Sequence, residues 1–172
     1  EEEREEFLAF AKSLHENINT FFGANVSGYD AYRYYEENDK LRSWICIPLT
    51  MGIFERREGT IAALLSDKLF GKDGLVCEEG NATYWDRSTL YALRGILNAG
   101  HSDEVWDFIK YYVNNRLLTE HVPYAIEAYP EGNKRHLAAE SALFARIVTE
   151  GMFGFVPTGY DSFTLTPSVP RE

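Results

Sequence analysis

Apolar residues return every three or four positions at the start of the chain: Phe7, Phe10, Leu14, Ile18 and Phe21 make one stripe. That spacing predicts an amphipathic helix of about five turns. The next stretch, GANVSGYDAYRYYEENDK, holds glycines and four tyrosines but no stripe, so it reads as a long structured loop with short strands. IPLTMGIF predicts a short buried helix. REGTIAALLSDKLFG follows with Ile61, Leu64, Leu65 and Leu69 in helical register and Gly71 as its C-cap. After the glycine-containing loop GKDGLVCEEGNATYWD, RSTLYALRGILNAG places Leu90, Leu93 and Leu97 on one face and stops at Gly100. Ser102, Asp103 and Glu104 then open another helix, with a capping hydroxyl and first-turn acids, whose inward stripe is Val105, Phe108, Ile109, Tyr112 and Val113. A last helix over 137–152 carries Leu137, Phe144, Ile147 and Val148, and the terminal FGFVPTGYDSFTLTPSVP reads as a short strand or extended cap.

About six helices thus alternate with connections of which every second one is long and aromatic. The pattern predicts an all-α fold of stacked helical hairpins, with the long loops gathered at one end as the site-bearing face. An irregular helical domain would fit the same pattern. The chain is long enough to bury a core as one domain, 1–172. Because EEEREEFLAFAKSL is a helix already under way at Glu1, the chain is expected to be a fragment of a longer protein.

Composition narrows the partners. There are 27 acids against 17 Lys plus Arg, a formal charge of −10, which argues against nucleic acid, since phosphate contacts need clustered cations. No apolar run approaches the roughly 20 residues that span a bilayer, so no membrane is expected. Cys46 and Cys77 have no metal-ligand spacing and read as free thiols, and no metal or cofactor is expected. Two N-x-S/T triplets, at Asn25 and Asn81, leave the compartment open.

Two stretches carry candidate chemistry. In HVPYAIEAYPEGNKRH, residues 121–136, Glu127 follows Pro123, Tyr124 and Ile126. An apolar, aromatic setting of this kind raises a carboxyl pKa and suits acid–base work, although residue type alone leaves a helix cap or a salt bridge equally open. His121 and His136 flank the loop and read first as packing or capping residues. In YWDRSTLY, Trp85 precedes an acid and a base at a helix start. Asp86 can cap that helix and Arg87 can pair with an acid; alternatively, Trp85 stacks on a sugar ring while Asp86 and Arg87 bond its hydroxyls.

The order IPLTMGIF, IAALLSDKLF, TYWDRSTLYALRGILNAGHSDEVWDFI, PYAIEAYPEG and HLAAESALFARIV, over residues 28–167, resembles the C-terminal half of the catalytic domain in the six-hairpin glycosidases. It is most similar to the trehalase and processing α-glucosidase types, and more distantly to the α-L-rhamnosidase type. The resemblance implies an (α/α)6 toroid, of which this chain would supply half with a short extended end. It also implies an inverting glycoside hydrolase acting on an oligosaccharide or glycoside.

In that reading Glu127 matches the family's general base, with Tyr129 and Pro130 matching the residues after it. Tyr84 and Trp85 match the start of the aromatic motif, SGYDAYRYY around Tyr29 resembles a sugar-site loop, and His136 joins the substrate site. The sequence departs where Asp86-Arg87 replaces the family's Arg-Gly and where HLAAESALF lacks a tryptophan. The family's general acid lies before the region that matches, so the chain alone is expected to be inactive, and to associate with itself or with a missing N-terminal half. The alternative is a non-catalytic carbohydrate-binding or scaffold protein, which the altered motif permits.

Overall fold

The computed structural model describes residues 1–120, 125–130 and 138–171. Helix α1, Glu2–Asn17, runs on through a widened π-turn, Ile18–Phe22, into a hairpin of β1, Gly23–Val26, and β2, Tyr29–Tyr32. Ser27 and Gly28 form its two-residue loop, both at positive φ (51° and 93°), the combination whose twist matches that of paired strands. A 3₁₀ turn, Ser43–Cys46, leads into the single turn of α2, Ile47–Thr50, and then into α3, Arg57–Leu64. Next come β3, Phe70–Gly71, and β4, Gly74–Leu75, paired with each other, and β5, Tyr84–Trp85. Helix α4 is Asp86–Asn98 and α5 is Ser102–Tyr112, which continues as a π-helix, Val113–Glu120. β6, Ala128–Tyr129, precedes α6, Ala138–Arg146, and its π-turn, Ile147–Met152; β7, Val156–Pro157, and β8, Phe163–Thr164, close the chain as a hairpin.

The fold departs from the all-α hairpin stack that the periodicity suggests and from the half-toroid that the resemblance implies. Among the described residues six α-helices share the chain with eight short strands in four antiparallel two-stranded ribbons, so the class is mixed α and β. The physical reason is that long connections lying against the body must satisfy their backbone N–H and C=O groups, and here they do so by pairing with one another.

Helix α4 is the axis of the core. Ten of its thirteen residues are buried, from Asp86 to Leu97, and it packs against α2, α5, α6 and the π-turn after α6. Gly95 permits the approach of α2, because a Cβ there would lie 2.8 Å from Leu49 Cβ. The buried cluster extends from Val26 on the first hairpin through Leu49, Leu64, Leu93 and Tyr112 to Ile147.

Candidate functional site

The long loops meet laterally beside the start of α4. Arg42 bridges to Glu78, and Val76 to Tyr84. Tyr84 then pairs with Tyr129, and Trp85 with Ala128. The ribbon extends one step further, for the Asp86 amide donates to the Glu127 carbonyl at 3.0 Å. The YWDR and IEAY stretches, more than forty positions apart in the chain, are thus adjacent strands. Arg42 also stacks over the rings of Tyr34 and Tyr35, at 5.2 and 5.8 Å from their centroids, which ties the tyrosine loop to the same cluster. Tyr29 sits half-buried on β2, which packs on α3, and the tip of its hairpin is tied in by Ser27 Oγ donating to Glu79 Oε2 at 2.7 Å. The Glu79 carboxylate also accepts from the Leu41 amide and pairs with Lys68. The Ser27 and Lys68 contacts hold it below the ordinary carboxylate range.

Asp86 is the hub of this region. It is 1% exposed. Its Oδ2 accepts from the Tyr112 hydroxyl at 2.8 Å and the Ile126 amide at 3.2 Å, and its Oδ1 accepts from Arg116 Nη2 at 2.8 Å. Burial pushes its pKa upward, and the charge of Arg116 opposes that shift. Arg116, also buried, donates from Nη1 to the Asp73 carbonyl at 2.9 Å and lies over the Tyr129 ring at 4.1 Å. Asp86 and Arg116 therefore lock α4, α5 and the Ile126–Tyr129 segment into one geometry. A carboxylate so engaged has its hydrogen-bonding capacity spent inside the protein rather than on a ligand.

Arg87 is partly exposed and donates from Nε to Glu140 Oε1 at 2.7 Å, while Glu140 is fully buried. Among the described residues the second Glu140 oxygen has no hydrogen-bond partner. Trp85 and Tyr84 are half-buried; the Tyr84 ring lies so close over Gly71 that a Cβ there would meet its hydroxyl at 2.5 Å. Glu127 is half-buried, and among the described residues no ion pair reaches its carboxylate. His136, His121, Pro123, Tyr124 and Glu131 lie outside the described residues.

The structure therefore brings Tyr84, Trp85, Asp86, Arg87, Glu127 and Tyr129 together. It adds Tyr112, Arg116, Glu140 and Glu79, which motif reading does not single out. A signal for two of them exists: Arg116 stands four places after Tyr112, and Glu140 three before Leu143, both on apolar faces. A charge on such a face implies a buried partner. Among the described residues no group of His, Cys, Asp and Glu is arranged to hold a metal. Both cysteines are free, and burial pushes the Cys46 thiol up to about 12. Among the described residues no helix is long and apolar enough to cross a membrane. No protein-family model and no curated protein sequence matches the chain.

Proposed function

We propose that the chain is part of an inverting glycoside hydrolase acting on an oligosaccharide or glycoside, with Glu127 as general base and Trp85, Arg87 and Tyr129 around the sugar. The observation that supports this reading is the pairing of β5 with β6, which sets the aromatic stretch and the glutamate stretch of the six-hairpin resemblance side by side. Glu127 would take a proton from a water, whose oxygen bonds to the anomeric carbon as the glycosidic C–O bond breaks. A second carboxyl group, about 6.5–9.5 Å away across the sugar, would protonate the leaving oxygen. Trp85 offers a flat apolar face to sugar C–H groups, and the outer nitrogens of Arg87 can donate to hydroxyls.

A non-catalytic carbohydrate-binding protein is the second reading, and one observation favours it: Asp86 and Arg87, the departures from the family motif, are engaged in internal ion pairs. Glucosyl and rhamnosyl fluorides separate the two. Fluoride departs without protonation, so a base alone suffices for turnover. Hydrolysis that Glu127→Gln lowers by about 10²–10⁴-fold, with an unchanged melting temperature, supports the base. Unchanged turnover in that variant rejects it, and sugar affinity without hydrolysis in the wild type favours the binding protein.

A further inference from the structure

The proposed site makes no use of the exposed apolar face of α1. None of the sixteen residues of α1 is buried. Phe7 is 67% exposed, Phe10 66% and Leu14 49%. These side chains share one side of the helix, and the row continues through Ile18 and Phe22 in the π-turn into a groove of about 400 Å³. Tyr34, Trp44, Pro48 and Met51 line the rest of that groove, and Met51 is itself 70% exposed. Ile18 and Phe22 link the exposed face of α1 to the groove, and the row from Phe7 to Phe22 is about 22 Å long at the helical rise per residue. A strip of this length and spacing suits an amphipathic helix laid along it.

Charge selects the occupant. The same side of α1 carries Glu3 and Glu6 just before Phe7, at i, i+4 spacing to Phe7 and Phe10, with Arg4 beside them, and all three are exposed; over residues 1–6 this end of the helix has five acids against one cation. A second copy of the chain does not fit. Paired antiparallel, its own α1 would set Leu14, Ile18 and Phe21 against these two acids; paired in parallel, it would set acid against acid. We infer that the strip docks a partner helix whose apolar row ends in lysines or arginines, with the row over Phe7, Phe10, Leu14 and the groove and the cations over Glu3 and Glu6. Apolar burial supplies the affinity and the two acids set the direction of binding.

The test uses the whole chain and a fluorescein-labelled amphipathic peptide of about 18 residues, with leucines at helical spacing and a run of lysines past one end. A matched peptide carries glutamates in place of the lysines. By anisotropy, the lysine peptide is expected to bind about tenfold more tightly than the glutamate peptide. Phe7→Ser with Phe10→Ser, both at exposed positions, is expected to weaken it by a further factor of about ten, and Glu3→Lys with Glu6→Lys to invert the preference. Absence of binding, equal binding by the serine variant, or a preference untouched by charge reversal overturns the proposal. So does a dimer of the chain alone in sedimentation that the serine variant dissolves, because a second copy would then occupy the strip.

Discussion

At Asp86 one carboxylate takes hydrogen bonds from Tyr112, Arg116 and the Ile126 amide, while the amide of the same residue donates to Glu127. Removing it leaves the buried Arg116 guanidinium without its anion. Asp86→Ala is therefore expected to cost about 3–5 kcal/mol in urea unfolding, the range for breaking a buried pair from one side. An unchanged midpoint would mean that the pair contributes little and that Asp86 is free for other work. The neighbouring pair behaves differently because Arg87 reaches solvent. Glu140→Gln keeps an acceptor for Arg87 and removes a charge whose second oxygen is unpartnered among the described residues. Its stability is expected to change by only about 1 kcal/mol. The motif YWDR showed that these residues mattered, but not that Asp86 points into the core: the partners that hold it, Tyr112 and Arg116, come from elements later in the chain.

Among the elements, the helices with strong stripes were legible and the short ribbons were not. Leu90, Leu93 and Leu97 mark α4, and Gly100, at φ 87°, ends the turn after it as its residue type suggests. The helix expected to run on to Gly71 instead stops at Leu64, and Phe70 and Gly71 pair with Leu75 and Gly74. Leu69 is buried through a turn closed onto Ser66 rather than through helical register. Thr89 fixes that ribbon to α4, accepting from the Leu75 amide at 2.8 Å and donating to the Trp85 carbonyl at 2.7 Å. Packing of α4 against α2 depends on Gly95. Gly95→Ala is expected to lower stability by about 1–3 kcal/mol, since the added methyl meets Leu49 Cβ at 2.8 Å. A thermal midpoint equal to that of the wild type would show that α2 can move away without loss.

The whole molecule carries a formal charge of −10 and holds several groups whose ionisation burial resists, Tyr112 and Cys77 among them. Burial holds the Cys46 thiol up at about 12, from a usual 9.0, and burial with the nearby Glu55 charge raises Tyr32 from 10.0 to about 12. Both are acids whose folded values lie above the unfolded ones. At alkaline pH the folded protein therefore keeps protons that the unfolded chain has released, and stability falls as pH rises from about 9 through about 12. Cys77, part-buried, is raised from the same starting value, so Cys46→Ala with Cys77→Ala is expected to delay the onset of that fall to near pH 10, read from melting temperature against pH. An onset still at pH 9 in the double variant would remove the thiols as its cause.

What the sequence alone determined was local: where helical stripes lie, where glycine ends a helix, and that the aromatic and glutamate stretches sit in connections. The tertiary structure decided what is non-local. Backbone pairing of Tyr84–Trp85 with Ala128–Tyr129 has no signature in either segment, because strands of two residues are too short to show an alternation. The burial of Asp86 and Glu140 follows from where Arg116 and Arg87 arrive, and that depends on how α4, α5 and α6 cross. Even the stripe of α1 illustrates the division. Its spacing dictates the helix, but only the packed molecule shows that Phe7, Phe10 and Leu14 face outward, since a helix forms from local hydrogen bonds whereas burial needs a second surface.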